Sequence, residues 1–176
     1  MQLRSACTTF ATKKGGMKTI EITDSEKIEA ILSKAKVCFV AMAGSDGAPY
    51  VIPMNFGYKE GVFYLHSGPH EGRKMEVLKQ NPRVCIAVNV GEELAWQHPD
   101  VACSYGMRAE SVVAEGAVEF VNDLNEKIEI MNIFMQGYTG RDFTYSTPAI
   151  KNVIVWRVKV EKMNCKCKGF GLRPNK

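Results

Sequence analysis

The chain has 176 residues, 45% of them apolar and 24% charged, and a formal net charge of +4. That balance excludes wholesale disorder, and a chain this long buries roughly 70% of its unfolded surface without a disulfide or metal staple. The longest apolar run, residues 37–43, is far short of the ~20 residues of a membrane-spanning helix, and residues 1–18 lack the apolar stretch of a secretory signal, so the six cysteines read as reduced thiols of a cytoplasmic protein.

Residues 1–18 show no period and are set off by Gly15-Gly16, which predicts an N-terminal arm or a start-site extension, with Met17 as an alternative start. Thr23-Asp24-Ser25-Glu26 offers helix caps ahead of Ile28, Ile31 and Leu32, predicting a short helix that ends near Ala35. Residues 37–43 (VCFVAMA) have a buried-strand pattern, and Asp46-Gly47 marks a hairpin turn. The next strand, 49–58, puts Tyr50, Ile52, Met54, Phe56 and Tyr58 on one face; Pro53 within it predicts an edge or an interruption. A turn at Lys59-Glu60-Gly61 leads to a strand over 62–66, then the loop Ser67-Gly68-Pro69-His70 and a helix over about 71–80 stopped by Asn81-Pro82. Strands follow at 84–90, 111–121 and 152–160, with 91–107 irregular. Between the last two, Asn122 or Asp123 caps a helix whose Leu124, Ile128, Met131 and Met135 form an apolar stripe, and a loop spans 137–148. About six strands in hairpin order with a few short helices predict a mainly β antiparallel barrel with helices outside it. The predicted domain covers 19–161, and 162–176 is a basic C-terminal tail.

Charge is concentrated at the ends. Residues 1–18 carry four cations and no acid, and 157–176 carry seven Lys or Arg against Glu161, while the middle is net acidic. Solvated termini are the plain reading, and the acidic middle argues against a nucleic-acid surface.

The stretch His66-Ser67-Gly68-Pro69-His70-Glu71-Gly72-Arg73-Lys74 is the most informative. A strand ends, a turn follows, and a helix begins with two cations, beside a helix terminus that favours anions. Arg73 can fork two phosphate oxygens, Lys74 adds a point charge and Ser67 a hydroxyl. The spacing is not that of a Walker A loop, and a surface helix start with solvated cations is the alternative. Cys38 and Cys85 fall in apolar strands as packing residues, Cys103 has only Arg108 as a basic neighbour, and Cys165-Lys166-Cys167 alone makes no metal site.

The motif Asp46-Gly47-Ala48-Pro49-Tyr50-Val51-Ile52-Pro53-Met54-Asn55-Phe56, followed by Phe63-Tyr64-Leu65-His66-Ser67 and Glu71-Gly72-Arg73-Lys74, resembles the FMN-binding split-barrel relatives of pyridoxamine 5′-phosphate oxidase. Within them it is most similar to the branch of the 5-nitroimidazole-resistance reductases. The resemblance covers about 19–160. It implies a six-stranded split barrel, a homodimer and FMN at the subunit interface. It places Pro53, Met54 and Asn55 beside the flavin ring, His66 and Ser67 near the ribityl chain and phosphate, and Arg73 and Lys74 on the phosphate. Ser111 matches a strand position facing the cofactor; where the family pattern has an aromatic and a basic residue before that serine, this chain has Ala109 and Glu110, with Arg108 the nearest cation.

His66 is the catalytic candidate, since a group titrating near pH 6.5 can deliver a proton beside a reduced flavin; the alternative is a histidine that only positions the phosphate or bonds backbone. The function implied is an FMN-dependent oxidoreductase passing electrons from a reduced donor to a small electron-poor substrate such as a nitroimidazole. The alternatives are a flavin- or haem-binding stress or storage protein without turnover, and a cofactor-free dimeric scaffold.

Overall fold

The computed structural model describes residues 18–70, 72–170 and 173–174. Strands β1 (Lys18–Ile22), β2 (Cys38–Ala43), β3 (Pro49–Met54), β4 (Phe56–Lys59), β5 (Val62–Ser67), β6 (Arg83–Trp96), β7 (Tyr105–Val121), β8 (Ile154–Phe170) and the two-residue β9 (Arg173–Pro174) form one antiparallel sheet. Among the described residues four α-helices flank it: α1 (Ser25–Lys34), α2 (Arg73–Gln80), α3 (Leu124–Thr139) and α4 (Thr147–Lys151). Apart from Lys18, the expected N-terminal arm lies outside the described residues.

The sheet runs β3-β2-β6-β7-β8-β5-β4, and its two end strands are consecutive in the chain, separated by Asn55 alone. The 49–58 segment is thus one strand broken in two, its first half paired with β2 and its second with β5. Counted so, six strands close a split barrel, as expected; β1 and β9 are additions on β8 and β6. Tyr138 near the end of α3 holds the break: its hydroxyl accepts from the Phe56 N–H at 3.1 Å and lies 3.0 Å from the Lys36 carbonyl oxygen. Pro53 stands on the open-edged β3, where a missing N–H costs little.

Three sequence expectations differ from the structure. Strand β8 does not stop at 160 or leave 162–170 as tail; it runs to Phe170 between β7 and β1. The cause is a bulge: the β7 register passes from Glu115↔Lys162 to Gly116↔Val160, so Glu161 is an extra residue. It shifts the alternation from Trp156, Val158 and Val160 to Met163, Cys165 and Cys167, whose neighbouring lysines point out. Gly116 permits the close approach there, since a Cβ would collide with the Lys159 carbonyl and come within 2.8 Å of Val158. Likewise β6 continues through the segment expected to be irregular, after a register shift between Val90 and Glu93 where Gly91 has φ 69°.

The third difference is the buried face of α3. Asp123 caps the helix as expected, accepting from the Glu126 N–H at 2.9 Å. The buried residues are Lys127, Ile130 and Phe134 instead of the 124/128/131/135 stripe. Phe134 fills the space over Val155 and Val121, while Lys127 buries its stem and donates to the Val153 carbonyl at 2.7 Å. Gly137 does not end this helix; Gly140, in the left-handed region, does, and α4 begins at the end of the expected 137–148 loop and carries on to Lys151. Helix α1 matches expectation, with Asp24 accepting from Lys27 N–H and Ile31 and Leu32 buried. The barrel interior is filled by Cys38, Val40, Phe63, Leu65, Ile86 and Trp156 with their neighbours, each large side chain contributing about 1.5–3 kcal/mol by burial.

Candidate functional site

The split forms because β4 and β5 cease pairing at Phe56↔Leu65. Past that point β5 has only β8 beside it, through His66↔Val155 and Ser67↔Ile154, and β3 has only β2. The chain then turns at Gly68-Pro69 into α2, which starts over this opening. Met54, Asn55, His66, Ser67, Arg73 and Lys74 therefore meet at the split.

Adjacent residues on β5 face opposite ways. Ser67 shares the barrel-interior side with Phe63 and Leu65, and Leu65 is opposite Trp156. His66 and Tyr64 face α3, where the His66 ring meets Phe134 edge-on at 4.7 Å between centroids. His66 Nδ1, Ser67 Oγ and Trp156 Nε1 are buried without a hydrogen-bond partner. Buried polar atoms are nearly always paired; Ser67 and Trp156 leave two orphans on the barrel-interior face of this strand pair and His66 one on the α3 face, so the end of β5 carries unsatisfied polar groups on both sides. Burial holds the His66 pKa below its usual 6.5, and the charge of Lys74 lowers it further; at neutral pH the ring is uncharged.

Gly72 supplies no side-chain cap to α2, so the first turn is open to an external acceptor. The Arg73 guanidinium lies over the Tyr50 ring, 4.7 Å from its centroid, which fixes it beside β3 by a cation–π contact. Lys74 is half-buried, and burial lowers its pKa; a cation so placed gains from an anion. Together these groups can bind a phosphate group: fork, point charge, hydroxyl and helix terminus.

Of the remaining candidates, Met54 points into the core opposite Cys38. Asn55 occupies the break and donates to the Lys36 carbonyl at 3.3 Å. Pro53 lies on the outward face. Ser111 is also on an outward face, opposite Asn89 and Lys166, and β2 and β6 separate it from β3; within one chain it does not join the split. That outward face is apolar. Pro53, Phe39, Ala87 and Val113 form one row across β3, β2, β6 and β7, and Phe39, Val51 and Val113 are 50%, 54% and 41% exposed.

A cavity of about 630 Å³ lies elsewhere, between α1, β4 and α3. Its lining includes Glu29, Glu60, Glu129 and Asp142 and none of the candidate residues; carboxylates repel a phosphate, so the split is the better anion site. Among the described residues no group of three His, Cys, Asp or Glu could hold a metal ion, and no helix is long and apolar enough to cross a membrane. Burial pushes the Cys38 thiol up to about 12 and Cys165 to about 11, so neither is a nucleophile. The unpaired indole of Trp156 is a polar group that the sequence does not distinguish from a packing residue of its strand.

The model of the pyridoxamine 5′-phosphate oxidase family matches residues 24–166. The chain is 45% identical to a candidate 5-nitroimidazole antibiotic resistance protein from Bacteroides thetaiotaomicron, covering 96% of this chain and 99% of that one, with a TM-score of 0.78. The same fold occurs in the flavocytochrome Anf3 of Azotobacter vinelandii, at 20% identity, TM-score 0.70 and 89% and 79% coverage. It occurs also in the FAD and heme binding protein of Mycobacterium smegmatis, at 16%, 0.72, and 89% and 76%. No curated protein matches the sequence significantly. The chain belongs to the pyridoxamine 5′-phosphate oxidase family, on the branch of the 5-nitroimidazole resistance proteins.

Proposed function

We propose that the protein is an FMN-dependent oxidoreductase that passes electrons from a reduced donor to a small, flat, electron-poor substrate such as a nitroimidazole. The observation that carries this reading is the set of buried, unpartnered polar atoms beside two cations at the split. These residues fit a phosphate monoester, and one compact cradle suits FMN better than a dinucleotide, which needs a second nucleotide site. Bound flavin supplies the redox chemistry. The chain's part is to hold and orient. Arg73 and Lys74 neutralise the phosphate, and the Ser67 hydroxyl donates to it. The backbone of Pro53, Met54 and Asn55 on the open edge of β3 lies along the ring. His66, neutral and wedged against Phe134, positions the phosphate end and does not act as the proton donor.

The active form is a homodimer. The exposed row Pro53–Phe39–Ala87–Val113 supports this, because exposed apolar area of this kind favours a protein partner. Ser111 is two residues from Val113 on the same strand face, so a second copy seated there would bring Ser111 towards that copy's split. The test is flavin titration followed by turnover: FMN should bind and, once reduced, be reoxidised by a nitroimidazole at a rate well above free FMN. Binding with no such acceleration would contradict the oxidoreductase role.

A further inference from the structure

The cavity between α1, β4 and α3 has no part in the anion site, yet at about 630 Å³ it has the size of a site for a small organic molecule. Leu32 and Phe56, both buried, line it together with Ile133 and the rings of Tyr58 and Tyr138. Its charge is one-sided. Glu29 comes from α1, Glu60 from the turn after β4, Glu129 from α3 and Asp142 from the segment after that helix. Among the described lining residues Lys59 is the one cation, so four carboxylates against one ammonium leave a formal charge of −3. Glu29, Glu60 and Glu129 have no hydrogen-bond or ion-pair partner among the described residues. Asp142 accepts from the Gln136 amide at 2.8 Å, a neutral donor that leaves its charge uncompensated. The Glu29 charge is felt at the wall: burial first, and then that carboxylate, push the Tyr58 phenol pKa up.

Two further observations define what the cavity takes. Among the described residues no three acidic groups lie close enough together to hold a metal ion, so the compensating charge belongs to something larger. The wall also seats an ammonium already. Lys36 Nζ lies over the Tyr138 ring, 5.4 Å from its centroid, and donates to the Gly137 carbonyl at 2.9 Å; Tyr138 and Gly137 both line the cavity. Even with Lys36 counted, the balance stays negative. We propose that this cavity is a second ligand site, for an organic cation: a protonated amine carried on an aromatic or aliphatic body. The body lies against Leu32, Phe56 and Ile133, and the ammonium sits among the carboxylates. Arg73 and Lys74 repel such a ligand from the split, so the two sites sort ligands by sign. The inference does not rest on the flavin reading, because none of the residues assigned to flavin lines this cavity.

The probe is phenylbutylamine, a cation at neutral pH, beside phenylbutanol and phenylbutyrate, which carry a similar body with no charge and with a negative charge. Titration of the full chain at low salt, followed by nuclear magnetic resonance, should show saturable binding of the amine. The alcohol should bind about tenfold more weakly, because it offers the carboxylates no charge, and the acid should not bind. The methyl signals of Leu32 and Ile133 should move with the amine, and that of Met54 at the split should not. Glu29→Gln with Glu129→Gln changes two exposed side chains and should leave the fold intact. It should weaken the amine about fivefold, the scale of two exposed charge contacts, and leave the alcohol unchanged. Absence of saturable amine binding, equal affinity for amine and alcohol, an amine affinity unaltered in the double variant, or shifts centred on Met54 would each overturn the assignment.

Discussion

The two sides of the barrel are built on opposite terms. On the split side the ladder is broken at Asn55, β3 and the end of β5 stand apart, and polar side chains are buried without partners. On the far side β2, β6, β7 and β8 pair without a gap in strand order, and what is left unsatisfied is apolar surface: Phe39 and Val113. Unpaired buried donors cost free energy until a polar ligand arrives; exposed apolar area costs free energy until another surface covers it. One wall is therefore suited to a small anion and the other to a protein.

The largest expected effect is on the continuous wall. Phe39→Glu with Val113→Glu places charges where a partner would desolvate them, at several kcal/mol per unpaired ion, so light scattering should show a monomer. A dimer unchanged in mass would move the interface elsewhere. Next is the split: Arg73→Ala with Lys74→Ala removes two charge-assisted contacts of ~1.5–3 kcal/mol each. FMN affinity should fall on the order of 10²–10⁴-fold in calorimetry, with the fold intact by circular dichroism; unaltered affinity would sink the cradle.

His66→Ala probes the boundary between ligand and scaffold. Because His66 faces α3 while Ser67 faces the barrel, the expected result is weaker flavin binding with the rate per bound flavin nearly unchanged. Full occupancy with a rate lower by ~10²–10⁴-fold and stripped of its pH dependence would make His66 the proton donor instead. The smallest effect is on stability against pH. Burial lowers the His66 pKa in the folded state, so below 6.5 the unfolded chain takes up a proton that the folded chain refuses. Stability should decline as pH falls from 6.5 towards the depressed value and level off above 6.5. Subtracting the melting curves of His66→Phe should remove that component; an identical pH slope in the variant would show that the ring is not held neutral.

Much of both walls was legible from sequence because local chemistry and tertiary role agree. Asp46-Gly47 makes its turn, with Gly47 N–H donating to Gly44 at 2.9 Å. Pro53 does mark an edge, and Asp24 and Asp123 do cap helices. The losses have one physical cause in two places. At Glu161 and at Gly91-Glu92 a bulge shifts the alternation of period two. A reading that needs unbroken alternation therefore ended β8 as a basic tail and β6 as a loop. The α3 stripe failed differently: several faces of that helix are apolar, and packing against Val155 and Val121 chose Ile130 and Phe134. For the site, the segment from His66 to Lys74 announced its residues but not their sides. That His66 and Ser67 part company, and that Trp156 joins Ser67's face, follow only from strand pairing.

The central claim is that the split holds a flavin mononucleotide, and the most direct measurement is the absorbance spectrum of the purified protein with the mass of whatever it releases on denaturation. The account predicts a yellow protein releasing FMN, near one per chain after reconstitution. A protein that stays colourless when FMN is supplied, or that retains FAD and rejects FMN, would contradict it.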